Sequence, residues 1–422
     1  MKDTIQRDPS CADDYDPASI TVEEARANAL DNIDPITGSE KISIRECLNR
    51  VLAEDIYSPI QVPGHDNSAM DGYAIAGSDL PDKDVKSYRI IGTAFAGTPF
   101  TEACNAGEVV RIMTGAVIPE GCDTVVMQEH VEAVDNTTVK IGEGHQKGQN
   151  VRQAGEDIAK GSVVITKGWR ITPADLGILA SLGIGEMKIY RRPRVAFFST
   201  GDELRSVGET LGPGDIYDSN RYTLYGMLKR LDVDILDMGV IKDNPDALRE
   251  AFQQASEMAD IIITSGGVSV GEADYIKTIL EEMGDITFWK VGMKPGRPLT
   301  FGKINNAQFF GLPGNPVSVM VTFYQFVQPA IHYLASGIAQ YPASLNATCA
   351  SSLRKRPGRF EFQRGIYEQN KNGELSVSKT GHQGSGVLTS MSHANCFILL
   401  PVEATSVEPG EIVQIQPFNG FI

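Results

Sequence analysis

From residue 194 onward, short continuous apolar runs alternate with apolar residues at helical spacing. Residues 195–199 and 261–264 read as strands buried on both faces, and 233–240, 286–291 and 299–303 are strand-like. Between them, Asn220 is expected to cap a helix carrying Leu224, Tyr225, Leu228 and Leu231 on one face. Asn244-Pro245 opens a helix with Leu248, Ala251, Phe252 and Ala255 inward. Ile276, Ile279, Leu280 and Met283 mark a third helix, and 316–334 a long apolar fourth. Strands alternating with helices imply right-handed crossovers and a mainly parallel sheet covered on both faces.

The flanking regions follow other patterns. Thr21-Val22-Glu23-Glu24 is a capping box that predicts a helix to about residue 32, and a second helix is expected over 43–53. Residues 56–149 are rich in Gly, Pro, Thr and Val, with apolar runs at 109–113 and 124–127, and read as a small β domain. Thr172-Pro173 starts a helix to about residue 182. Past residue 340 the pattern is strand-like again. A hairpin of 360–368 and 374–379 turns at Asn372-Gly373, followed by strands at 396–400 and 411–416.

Length and composition narrow the classes. At roughly 150 residues per domain, 422 residues suggest about three domains. With 41% hydrophobic and 22% charged residues, the chain is globular rather than disordered. Its net charge of −16 argues against nucleic acid and anionic membrane as partners. An anionic substrate would need a local basic pocket. The six cysteines include no Cys-x-x-Cys, so neither a zinc ribbon nor a thioredoxin-like site is expected. The first residues have no apolar signal core, and no run is long enough to span a membrane, so the expected location is the cytoplasm.

Four Gly-rich polar loops follow strands: Ser199-Thr200-Gly201-Asp202-Glu203, the segment 264–271, Met293-Lys294-Pro295-Gly296-Arg297-Pro298, and the segment 311–318. Each could be a plain turn. Together, at the carboxyl ends of strands in an open parallel sheet, they would form a binding crevice. None matches a phosphate-binding P-loop or a dinucleotide fingerprint. Lys290, Lys294 and Arg297 are either solvated surface or an anion clamp stiffened by two prolines. Arg354, Lys355, Arg356, Arg359 and Arg364 form a second basic stretch, either a solvated face or a rim over the crevice. Asp66 and Asp71 lie in a run of short polar residues, and read either as Asx-type turn residues or as ligands for a hard cation such as Mg²⁺. Asp157, Asp202, Glu203, Asp243 and Asp274 are further carboxylates beside these loops, each open to a local structural role. The histidines show no metal spacing and no nucleophile elbow is present.

Seven motifs in order, PGHDNSAMDGYA (63–74), RIMTGA (111–116), RQAGED (152–157), STGDEL (199–204), TSGGVSVGEADYIK (264–277), MKPGRP (293–298) and GLPGNPVSV (311–319), resemble the MoeA family of molybdopterin molybdenumtransferases, related to the E domain of gephyrin. The resemblance implies an α/β and β multidomain fold. Residues 19–55 and 150–187 would form an elongated discontinuous domain, with an inserted β domain at 56–149. A three-layer α/β molybdopterin-binding-like domain would occupy 188–335, and a β-barrel-like domain 340–422.

The implied reaction is Mg²⁺-dependent insertion of molybdenum from molybdate into adenylylated molybdopterin, with AMP released. The resemblance also implies a homodimer, and hand-over contact with a molybdopterin adenylyltransferase or molybdoenzyme chaperones. Motif positions make Asp66, Asp157, Glu203, Asp243 and Asp274 the catalytic carboxylates, with Glu203 and Asp274 as metal ligands. Thr114, Arg152, Ser269, Lys290, Lys294, Arg297, Pro313, Pro316, Arg364 and Ser385 would bind substrate or shape its pocket. Arg297 stands where the family often has Lys, which keeps the charge and changes its geometry. The alternatives are the adenylyltransferase itself, disfavoured by the long N-terminal half, and a non-catalytic dimeric scaffold of the same fold.

Overall fold

The structure, a computed structural model, describes residues 19–266 and 275–418. The chain divides into two compact units. One holds the described residues up to Glu40, Asn49–Val51, and everything from Tyr190 on; the other holds Lys41–Leu48 and Leu52–Ile189. Among the described residues no helix is long and apolar enough to cross a membrane.

The first unit is built on a six-stranded sheet. Its order is Asp234–Ile241, Arg194–Thr200, Ile261–Ser265, Ala307–Leu312, Pro298–Ile304, Gly284–Lys290. The first four strands are parallel and the last two join antiparallel. The continuous apolar runs are explained by burial on both faces. Val195, Phe197, Ile261 and Ile263 pack with the helices Val22–Asp31, Ser219–Leu228 and Pro316–Thr322. Ala196, Phe198 and Ile262 pack on the other side with Pro245–Met258 and Tyr275–Met283. There the ring of Phe252 meets Phe198 and Phe309 edge-on, with centroids 5.3 and 5.6 Å apart.

The same unit carries a closed five-stranded barrel. Phe360–Gln369, Leu375–Lys379, Leu345–Cys349, Ile412–Pro417 and Cys396–Leu400 pair in a ring, because the last also pairs with the first. Closure leaves the barrel no open edge. The hairpin turns as expected, with Gly373 at φ 86°. Phe362, Phe397 and Leu399 face the α/β core, so barrel and sheet share one apolar cluster.

The second unit contains a six-stranded sheet with strands between Gly72 and Ile141, apolar on both faces. A separate core of Cys47, Leu52, Ile56, Ile165, Ile171, Leu179, Met187 and Ile189 includes the helix Pro173–Ser181, whose Thr172 and Asp175 form a reciprocal cap.

Four expectations change. The helix anticipated over 43–53 is only the short turn Ile44–Glu46, because Asn49 takes a left-handed φ of 65° and Leu52 instead bridges Ile189. Asn220 does not cap its helix. The cap is Asp218, whose carboxylate accepts the Arg221 N–H at 3.1 Å. On that helix Tyr225 points to solvent while Leu224 and Leu228 are buried. The long helix is interrupted by a π-helical turn, Phe323–Val327, between Pro316–Thr322 and Gln328–Ser336.

The packing around Phe252 sets a test of the α/β core. Phe252→Ala should cost about 3–5 kcal/mol through lost burial and an unfilled cavity. A melting temperature unchanged within a degree would contradict this packing.

Candidate functional site

In the parallel part of the sheet, strand order reverses on either side of Arg194–Thr200, since its chain neighbour Asp234–Ile241 lies on one side and Ile261–Ser265 on the other. A crevice outside the carboxyl ends is expected at such a point. A cleft of about 1050 Å³ lies there, wholly within the first unit. Four strand ends reach it through Thr200, Gly201 and Glu203; Asp243; Gly266; and Pro313, Gly314 and Asn315.

Two glycines make the close approaches possible. At Gly266, φ is 93° and a side chain would meet the Thr200 carbonyl oxygen at 2.8 Å. At Gly296, φ is 96° and a side chain would run into the Thr322 methyl at 2.7 Å. The loop from Met293 to Pro298 is thereby packed onto the helix Pro316–Thr322. It is closed by the Val291 N–H on the Arg297 carbonyl at 2.8 Å.

The barrel supplies the opposite wall. Met293–Lys294 pairs in parallel with Phe360 and Glu361, and the Lys294 ammonium lies 3.2 Å from the Glu361 carboxylate. Gln363 donates to the other oxygen of Glu361 at 3.0 Å and to the Arg354 carbonyl at 3.1 Å. Lys355 is only 6% exposed and donates to the Arg356 carbonyl at 3.0 Å. Burial lowers its proton affinity, partly offset by Glu361.

Arg364 is 1% exposed, and its guanidinium is spent on the chain rather than on the cleft. It donates to Ser390 Oγ at 3.1 Å and to the carbonyls of His382 and Gly384 at 3.3 and 3.0 Å. Burial pushes its pKa down to about 10. It therefore shapes the loop that brings Gln383, Gly384 and Ser385 to the cleft, and Ser385 in turn accepts the Val317 N–H at 3.0 Å.

The charge of the lining is opposite to that of the chain. Lys294, Arg297, Arg354, Lys355, Arg356 and Arg359 line the cleft against three carboxylates, Glu203, Asp243 and Glu361. The total for the chain is −16. Four residues of the barrel stretch thus line the cleft, with Arg354 and Arg356 still exposed to solvent and Arg364 behind the wall. The two carboxylates at the strand ends form an acidic corner. Desolvation and the neighbouring Asp202 and Glu203 charges raise the Asp243 pKa above the usual carboxylate range. Among the described residues no cation pairs with Glu203 or Asp243.

The residues expected from sequence fall into three groups. Glu203, Asp243, Lys294, Arg297, Pro313 and Ser385 line the cleft, and Arg364 shapes it from behind. Lys290 and Pro316 do not line it: Lys290 ends the edge strand and Pro316 is the first residue of its helix. Ser269 and Asp274 lie outside the described residues.

Asp66, Thr114, Arg152 and Asp157 belong to the second unit, where the structure draws their segments together. Asp66 accepts the Ala154 N–H at 2.7 Å across 88 residues of chain. Asp71 accepts the Thr114 N–H and hydroxyl at 2.7 and 2.8 Å, which hold its pKa below the usual range. Arg152 donates to Glu156 at 2.6 Å. The Asp157 N–H reaches the Val62 carbonyl at 3.1 Å. Sequence reasoning placed Asn315 in a crevice loop without giving it a role, and missed Glu361 and Gln383. Those two are brought in by long-range pairing, and no local pattern marks them.

Family comparisons fit this layout. Residues 20–183 match the MoeA N-terminal region (domain I and II), 196–333 a probable molybdopterin binding domain, and 346–418 the MoeA C-terminal region (domain IV). A curated molybdopterin molybdenumtransferase of Haemophilus influenzae is 47% identical over 402 residues, 95% of this chain and 99% of the relative. The chain belongs to the MoeA family. A Nostoc molybdopterin molybdenumtransferase is 36% identical over 92% of this chain and 91% of its own. Dictyostelium discoideum gephyrin is 36% identical over 94% of this chain, which spans 62% of the gephyrin. The crystal structure of a molybdopterin biosynthesis moeA protein from Pyrococcus horikoshii superposes with a TM-score of 0.83 at 29% identity, covering 95% of this chain and 100% of that one. This MoeA chain is an enzyme, as its transferase relatives are.

The acidic corner of the MoeA cleft sets a pH test. Because the native pKa of Asp243 is raised, stability is present at acid pH and lost as pH rises through the native value. Asp243→Asn should therefore raise the melting temperature at pH 7, and the gain should vanish below the ordinary carboxylate pKa. A gain equal at both pH values would show that charge is not its cause.

Proposed function

We propose that this enzyme transfers molybdenum from molybdate to the dithiolene of adenylylated molybdopterin, releasing AMP and giving molybdenum cofactor. The observation that carries the reading is the cation-rich cleft at the strand ends of an acidic chain. Molybdate and a phosphoanhydride are both anions. Bringing them together requires fixed positive charge that needs no reorganisation as the reaction proceeds. Arg297, 5% exposed and held between Gly296 and Pro298, has the rigidity to grip an oxyanion with two donors. Lys294 and the barrel wall of Arg354, Arg356 and Arg359 extend that charge along the cleft.

The acidic corner supports Mg²⁺ as the cofactor. Neighbouring carboxylates with no cationic partner among the described residues, one with raised proton affinity, are a donor set that a hard cation takes. Glu203 and Asp243 would hold the ion, and Asp274, the other ligand expected from the motif, lies outside the described residues. When bound, Mg²⁺ supplies neutralisation of the charge that builds on the phosphoanhydride oxygens. The chain's own residues do the rest. Lys294 and Arg297 bind and orient the anions, Gly266 and Gly314 let backbone approach them, and Arg364 holds the Ser385 loop in place. The enzyme is proposed to act in the cytoplasm as a homodimer, with Asp66, Thr114, Arg152 and Asp157 serving the same reaction. Its product would pass to molybdoenzyme chaperones, and its substrate would come from an adenylyltransferase.

Purified protein given adenylylated molybdopterin, Mg²⁺ and molybdate should release AMP faster with molybdate than without. Glu203→Gln should slow that release at least about 100-fold, the scale of losing one electrostatic contact to a reacting group. Release independent of molybdate, or unaffected by the substitution, would contradict the reading.

Lys294→Ala should weaken molybdate binding about tenfold, and more at low salt than at high salt. Glu361 keeps its Gln363 hydrogen bond and the nearby Lys355 charge in this variant, and a thermal melt checks that the variant is folded. Salt-independent affinity equal to wild type would remove Lys294 from the site.

A further inference from the structure

Asn220 is the second residue of the helix Ser219–Leu228 and has no part in capping it, since Asp218 does so. Its side-chain amide is used elsewhere. Nδ2 donates to Ser265 Oγ at 2.8 Å and to the Gly314 carbonyl at 2.7 Å. A carbonyl can only accept, so the NH₂ end of the amide must face Gly314.

Those two partners stand on different strand ends. Ser265 closes the strand Ile261–Ser265, immediately before cleft residue Gly266. Gly314 follows the strand Ala307–Leu312 and also lines the cleft. The two loops are in near contact, for a side chain on Gly314 would lie 4.0 Å from the Gly266 Cα. One backbone bond already joins them, from the Gly266 N–H to the Leu312 carbonyl at 3.2 Å. The strands themselves pair in parallel up to Ser265 and Leu312, and past that register two side-chain bonds from one amide tie the described strand ends together. Asn220 Oδ1 is buried, with no partner among the described residues.

We propose that Asn220 is a positioning residue. Its amide clamps the Gly266 and Gly314 loops at the spacing that lets the cleft floor receive an anionic ligand. The inference rests on the functional reading above only for the identity of that ligand; the clamp itself can be tested without it. The Asp218 cap holds the first turn of the helix, and so holds Asn220, in register with the strand ends.

The test is amide hydrogen exchange together with binding of molybdate and of AMP, in the full chain. Asn220→Ala removes both bonds. Asn220→Asp keeps the shape but turns a carboxylate oxygen toward the Gly314 carbonyl. Both should speed exchange at Gly266 about tenfold to a hundredfold, the scale of one or two lost hydrogen bonds. Exchange at Ile262, deep in the same strand, should hold at its wild-type rate. Both variants should weaken probe binding about tenfold or more. Ser265→Ala should give a smaller effect, and adding it to Asn220→Ala should add little, as expected for partners in one contact.

Should Asn220→Ala fail to fold, the isosteric Asn220→Asp and the Ser265→Ala variant still read the clamp. Wild-type exchange at Gly266 in folded variants would overturn the proposal, and so would faster exchange with unchanged binding of both probes. If wild-type protein binds neither probe, the ligand assignment fails, while the exchange result still decides whether the clamp exists.

Discussion

The cleft exists because a two-residue strand, Met293–Lys294, pairs with the barrel at Phe360 and Glu361. That seam joins the loop after the edge strand of the α/β sheet to a closed β barrel with an apolar core of its own. Glu361 sits inside the seam, neutralised by Lys294 and held by Gln363. A buried carboxylate is costly when unpaired, so the pair fixes the seam's register more than it adds net stability. Once the seam is fixed, the barrel's basic stretch must face the glycine loops across the cleft. The shared cluster of Phe362, Phe397 and Leu399 with the α/β core keeps that relation rigid.

Electrostatics gives this arrangement its consequence. An acidic surface repels anions at long range, and a concave wall of fixed cations reverses that locally. Arg297 and Lys355 are nearly buried, so their charge acts through protein rather than bulk water. Opposite them lie Glu203 and Asp243, where desolvation and then the Asp202 and Glu203 charges raise the Asp243 pKa. Cationic wall and acidic corner in one hollow are the combination that the proposed reaction of an oxyanion with a phosphoanhydride would use.

How much of this was legible in sequence depended on the range of the interactions. Strands 195–199 and 261–264 could be read because burial on both faces leaves continuous apolar runs. The Thr21 cap could be read because a capping box closes within four residues, and the Thr172 cap because Pro follows it at the first helical position. The expected helix over 43–53 failed because Leu52 is claimed by Ile189, far along the chain. Lys294 and Arg297 were legible as charges held between prolines. Arg364 looked like another member of a basic stretch, and only burial shows it bound to carbonyls. Asp66 and Asp71 read equally well as turn residues or ion ligands. In the fold each bonds a backbone amide, of Ala154 and Thr114 respectively. Asn220 carried a plausible local role as a cap, and its actual partners lie 45 and 94 residues away.

The most direct test of the central claim is crystallographic. Crystals grown with Mg²⁺, AMP and molybdate should show the anomalous signal of molybdenum in the cleft between the Met293–Pro298 loop and the barrel wall, beside Lys294 and Arg297. Molybdenum bound only outside that hollow, with the hollow open and the protein folded, would contradict the account.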